Sequence, residues 1–230
     1  MITDKIRQKI KTLVGDATAP DNDTVKAEAA EKKVVVLDPE MLQGLEAALE
    51  EAEPPPMNTI GLFCDVTEEK IAEIIHALLY LEHLYAHSKP EKRQPIDFYV
   101  STYGGSADDM FSLYDIMRQV RTDNEIHTIG MGKVMSAGVL ILAAGTKGKR
   151  KIGKNCRVMI HSVIGGNHGS LHNMLNEMEA IEQMQDMYIN CLVEETSMSK
   201  SQIKKMLEKK VNVYLTAQEA VELGIADIII

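Results

Sequence analysis

Residues Ile126 to Arg150 read IHTIGMGKVMSAGVLILAAGTKGKR. Ile126–Gly130 is a short β-rich run, and Met135–Ala144 is an uncharged apolar run that suits a helix buried on all sides. The Gly130-Met131-Gly132 turn and Ser136 stand at the junction between them. A strand passing through such a junction into a buried helix is half of a βαβ unit, and the chain from Asn58 onward repeats that pattern.

Upstream, Ile60–Phe63 is a short strand and Thr67 a helix cap. Ile71, Ile74, Ile75, Leu78, Leu79 and Leu81 then line one helix face. After the turn-rich KPEKRQP, Ile96–Val100 alternates as a strand and leads to Gly104-Gly105. Asp108–Val120 is helical by period, with Met110, Leu113, Tyr114 and Met117 on one side. Downstream, Val158–His161 is a strand running into Gly165-Gly166, followed by a long helix over Leu171–Glu195 and another over Ser199–Lys209. The expected fold class is α/β, with the βαβ body over 58–230.

Residues 1–57 differ in character. They hold 12 acidic and 7 basic side chains, net −5, against net −4 for all the rest. Ile2, Ile6, Ile10 and Leu13 repeat at helical spacing, 15–33 is a polar linker, and 34–37 suits a short strand. Asp38-Pro39 opens a helix that Pro54-Pro55-Pro56 cannot continue. This segment is read as an appendage, partly helical and partly without fixed structure, serving as propeptide or docking arm.

Composition excludes several classes. The 230 residues are 45% hydrophobic and 26% charged, ordinary globular usage. Cys64, Cys156 and Cys191 are an odd, scattered set, which fits neither a disulfide scaffold nor a zinc ribbon and suits a reducing compartment. A net charge of −9 and the lack of Trp argue against nucleic-acid binding. The run Met135–Gly145 is far shorter than the roughly 20 apolar residues that span a bilayer, so no membrane association is expected. The first residues, MITDKIRQKIKTLVG, resemble neither a signal nor a transit peptide, and the expected location is cytoplasmic.

Several residues are candidates for chemistry. Gly104-Gly105 and Gly130-Met131-Gly132 are tight turns, phosphate-binding loops or sources of oxyanion-binding N–H groups. No G-x-x-x-x-G-K-[ST] is present, which weakens the phosphate reading. Ser136 is either a helix N-cap or a nucleophile, with the Ala137 N–H behind it. His161, at the carboxyl end of a strand, is either a surface histidine or a general base. His168 and His172 would have to join His161 to hold a metal, and no accompanying Glu supports that; no metal or cofactor is expected. His83 and His87 read as a solvated face. The basic stretch Lys147–Arg157 reads as a solvated edge or an interface, and Met174, Met178, Met184 and Met187 as core or subunit packing.

Four segments in order, GGSADDMFSLYDIMRQV, IGMGKVMSAGVLILAAGTKGKR, RVMIHSVIGG and LTAQEAVELGIAD, resemble the proteolytic subunit of the Clp protease from about Ile60 to the end. The resemblance implies a crotonase-like fold of stacked βαβ units with a protruding handle helix, Leu171–Glu195. It implies a serine endopeptidase in a homo-oligomer of two stacked heptameric rings, fed with unfolded polypeptide by an AAA+ unfoldase ATPase. By position Ser136 matches the nucleophile, His161 the base, and the N–H groups of Gly104, Gly105 and Ala137 the oxyanion hole. Asn212 stands where the family has Asp, Thr102-Tyr103 where it has Ser-Pro, and Ser162-Val163 where it has Gln-Pro. Residues 1–57 do not match the family's amino-terminal loop. Two other readings stand beside this one: a non-catalytic ring subunit, and an acyl-CoA enzyme using the same oxyanion geometry.

Overall fold

The computed structural model describes residues 57–86, 93–166, 168–208 and 212–230. The helices, strand and linker expected before Met57 lie outside these residues.

Strand β1 (Thr59–Leu62), helix α1 (Glu68–Ala86), strand β2 (Ile96–Thr102), helix α2 (Ala107–Val120) and strand β3 (Ile126–Met135) form two successive βαβ units. The three strands pair in parallel, Ile60 beside Phe98 and Phe98 beside Thr128. In β2 the buried side chains alternate, Ile96, Phe98, Val100 and Thr102, as a pleated strand with one core-facing side requires. Helix α1 buries Ile71, Ile74, Leu78, Leu81 and Tyr85. Its buried stripe is rotated from the expected one, so Leu79 reaches the surface and Tyr85 takes a place in the core. Helix α2 buries the expected Met110, Leu113, Tyr114 and Met117, and Ser106 caps its N-terminus through the Asp109 N–H.

Strand β3 is longer than its sequence suggests, because Gly130-Met131-Gly132 does not end it. Val100 faces Gly130, yet Thr102 faces Val134, so three residues of β3 stand against Ser101 alone. This is a bulge, and Gly132 supplies its positive φ of 66°. Strand β3 changes neighbours there. Before the bulge it pairs with β4 (Lys151–Ile152), and after it with β5 (Arg157–Ile160).

Helix α3 (Ala137–Ala143) is buried at every position, as its unbroken apolar sequence demands. Helix α4 (Leu171–Glu195) has the expected bounds, with Ser170 capping it through the Asn173 N–H. Residues 171–180 are exposed throughout, whereas Tyr188, Ile189, Leu192 and Glu195 are buried. The first half of α4 therefore projects from the body as a handle. Met174, Met178 and Met187 are exposed and form no part of this chain's core; only Met184 is half-buried. Helix α5 (Lys200–Leu207), strand β6 (Val213–Leu215), helix α6 (Ala217–Glu222) and strand β7 (Ile228–Ile229) complete a seven-stranded sheet. Its main path is β1-β2-β3-β4-β7, with β5 on the far half of β3 and β6 antiparallel to β5. This is the crotonase-like arrangement of stacked βαβ units with a protruding helix. Among the described residues no helix is long and apolar enough to cross a membrane.

Buried ion pairs join the base of α4 to the body. Glu195, 2% exposed, accepts hydrogen bonds from both terminal nitrogens of Arg121, at 2.5 and 2.9 Å, and from the Tyr114 hydroxyl at 3.0 Å. Arg150, expected in a solvated stretch, is 4% exposed. It pairs with Asp227 at 2.6 and 2.8 Å, and its Nη1 donates to the carbonyls of Glu195 and Ala143. Burial pushes the Asp227 carboxyl up, but hydrogen bonds from Arg150 and the Gly148 N–H outweigh it and hold it below the usual carboxylate range. A charge is tolerated in the interior only when it is paired and hydrogen-bonded on all sides, and these are.

Candidate active site

Ser136 joins β3 to α3 with φ 54° and ψ −122°, the one non-glycine residue of positive φ among those described. Such a backbone costs on the order of 1–3 kcal/mol and persists only where the surroundings hold it. They do: its N–H donates to Met159 O at 2.8 Å, and its carbonyl accepts from Val139 N at 3.0 Å and Tyr188 Oη at 3.2 Å. Its side chain makes no cap hydrogen bond, so the N-cap reading fails. The hydroxyl opens instead into a cleft of about 540 Å³, which is also lined by Ala137, His161, Gly105, Phe111 and Tyr103.

Gly104 and Gly105 bring the end of β2 against this turn. A Cβ on Gly104 would lie 2.6 Å from Ser136 Cβ, and one on Gly105 would lie 2.2 Å from Val66 O. Both have positive φ, 102° and 151°. Glycine is therefore required at both positions by space and by conformation. Val66 clamps the pair, donating its N–H to Gly104 O at 2.8 Å and accepting from Ser106 N at 2.9 Å. The Gly104 N–H does not face the cleft as expected. It donates to the hydroxyl of the fully buried Thr102 at 3.0 Å. The Gly105 N–H has no acceptor among the described residues, and Gly105 lines the cleft.

His161 follows β5 directly and is half-buried. Its Nδ1 lies 2.5 Å from the carbonyl oxygen of Ser162. A carbonyl can only accept, so Nδ1 carries a proton; in the neutral ring that leaves the lone pair on Nε2, the tautomer that a general base needs. No hydrogen bond joins His161 to Ser136 in this structure. Asn212 is exposed and makes no hydrogen bond to the imidazole. Its position is nonetheless close by register: Ile160 of β5 faces Val213 of β6, and one further antiparallel step sets Asn212 opposite His161. The structure thus gathers Ser136, Ala137, Gly105 and His161 around one cleft, turns the Gly104 N–H away, and leaves Asn212 beside it.

Three contributors escaped the sequence reading. Thr102 carried a signal, because a Thr two residues before a glycine turn commonly takes a backbone N–H on its hydroxyl. Val66 and Tyr188 carried none, since each acts through contacts distant in sequence. His168 and His172 are exposed on the handle side, away from the cleft lining.

A family model described as Clp protease matches residues 57–230. The chain is similar to ATP-dependent Clp protease proteolytic subunit 1 of Prochlorococcus marinus subsp. pastoris, 34% identical over 72% of this chain and 79% of that one. It is also similar to ATP-dependent Clp protease proteolytic subunit 2 of Corynebacterium jeikeium, 33% identical over 73% of this chain and 76% of that one.

Proposed function

Because this chain belongs to the Clp protease family and is a peptidase of that kind, we propose that Ser136 is its nucleophile and His161 its general base. The Ser136 hydroxyl attacks a peptide carbonyl while His161 Nε2 takes its proton. The N–H groups of Gly105 and Ala137 hold the developing oxyanion, and Gly104 shapes the loop without donating to it. His161 passes the proton to the leaving amine, and a water molecule, activated by the same imidazole, then releases the acyl group. The observation carrying this reading is the strained Ser136 backbone, whose hydroxyl serves no structural bond and shares a cleft with a base in the right tautomer. Catalytic hydrogen bonds often close only around bound substrate, so the open Ser136–His161 pair is compatible with it.

By the same proposal the chain works as a homo-oligomer of two stacked heptameric rings, in the cytoplasm. An AAA+ ATPase delivers unfolded polypeptide to it, and residues 1–57 act as a docking arm or propeptide. An extended peptide would lie as an added strand between the segments around Gly104 and Gly165, which suits loose sequence preference. The test is a fluorophosphonate probe on the purified protein. We expect a covalent adduct on Ser136, located by mass spectrometry of the digested chain. Absence of any adduct would favour the non-catalytic ring subunit.

Asn212 takes the third place of the site in this reading, its amide oxygen replacing the Ser162 carbonyl as acceptor for Nδ1–H when the site closes. An amide orients the ring but leaves the imidazolium uncompensated. Asn212→Asp should therefore raise turnover of a fluorogenic peptide, within the limit of about 10⁴ measured for the reverse change in another serine protease. Asn212→Ala should lower it. If both variants match the parent, the third place belongs to the Ser162 carbonyl alone.

A further inference from the structure

We infer that Tyr188 is a positioning residue that aims the Ala137 N–H at the oxyanion by holding the Ser136 carbonyl. The inference rests on the proposed role of Ser136 and goes beyond it, because Tyr188 belongs to the handle helix and not to either strand of the site.

A peptide group is planar and trans, so its C=O and N–H point in opposite directions. In the Ser136–Ala137 peptide the oxygen is drawn toward the protein by two donors, Val139 N–H at 3.0 Å and the Tyr188 hydroxyl at 3.2 Å. Fixing that oxygen turns the Ala137 N–H the other way, and Ala137 and Ser136 both line the cleft. The Val139 bond alone is the first-turn bond of a short helix, a weak hold on a residue with φ 54°. The phenol adds a second anchor from a different element. Tyr188 is 5% exposed, and burial pushes its hydroxyl well above the usual phenol range, so it stays protonated and remains a donor at every working pH. Two turns further along α4, Glu195 is held by Arg121 and Tyr114, which keeps this part of the helix in register with the body.

Tyr188→Phe removes the hydroxyl and keeps the ring. It leaves the Ser136 carbonyl with its Val139 partner, so no buried acceptor is left bare. We expect kcat/KM for a fluorogenic peptide to fall about tenfold through kcat, with KM unchanged, as for a group acting only in the transition state. Affinity for a peptide boronic acid, whose tetrahedral adduct uses the same N–H groups, should fall in step. Affinity for the non-covalent cleavage-product peptide, the melting temperature and the assembly should stay as in the parent. Parental kcat and boronate affinity in Tyr188→Phe would overturn the inference. So would a uniform loss of kcat, product affinity and melting temperature, which marks a merely structural role. Ser136→Ala is run beside it: activity surviving in that variant removes the proposed function itself, whereas a parent-like Tyr188→Phe beside an inactive Ser136→Ala removes only the role of Tyr188.

Discussion

Ser136→Ala is expected to lose peptidase turnover by about 10⁶, the scale measured when the serine of another catalytic triad is removed. The remaining chemistry would come from Gly105 and Ala137, whose N–H groups still polarise a carbonyl without a nucleophile behind it. The fold should be indifferent to the change. The Ser136 hydroxyl makes no cap bond, and the backbone bonds to Met159, Val139 and Tyr188 use atoms that alanine keeps. Turnover of a fluorogenic peptide and a sizing profile, measured on parent and variant together, check both halves. A variant that sized normally and still cleaved at the parental rate would remove Ser136 from the chemistry.

Glu195→Ala should produce the largest loss of stability among single substitutions at the base of the handle. Its carboxylate is nearly fully buried and answers Arg121 twice and Tyr114 once. Removing it leaves the Arg121 guanidinium with the Ala144 carbonyl but no counter-charge, and a phenol without its acceptor, a class of change that costs about 3–5 kcal/mol. For a body of this size 1 kcal/mol corresponds to roughly 2–4 °C, so the melting temperature should fall by about 6–20 °C. Glu195→Gln should fall less, because the amide oxygen still accepts one bond. Thermal unfolding of the three forms at one protein concentration decides it. A change under about 2 °C for Glu195→Ala would mean that water replaces the carboxylate at no cost.

Local physics made most of the frame readable. The span of α4 follows from Ser170 at its start and an unbroken helical period, and the burial of α3 from a run with no charge at all. Ser136 and His161 stand out as candidates because they lie at the ends of β-rich runs near glycines, where an α/β sheet exposes functional groups, and the resemblance alone gives them their proposed roles. What could not be read depended on partners far along the chain. Arg150 looks like one of several basic residues on a turn until Asp227 and the carbonyl of Glu195 are seen to enclose it. The resemblance points the Gly104 N–H at the oxyanion, and no sequence pattern shows that it donates instead to the Thr102 hydroxyl in this structure. Leu79 and Tyr85 exchange roles because the helical period fixes that a stripe exists but not its rotation against the sheet. Asn212 takes its place from the resemblance alone; the β5–β6 pairing, carried one step past Ile160 and Val213, would set it opposite His161.

The bulge in β3 also fixes a length. Between Gly130, which pairs with Val100, and Val134, which pairs with Thr102, the chain has three residues and no freedom to have two or four. Side chains alternate along a strand, so one residue more or less would turn Val134 outward and rotate Ser136 away from the cleft. Substitutions at Met131 and Lys133, exposed and half-buried, should be absorbed readily by comparison. In a large library of variants this segment should therefore tolerate many changes of letter and almost none of spacing.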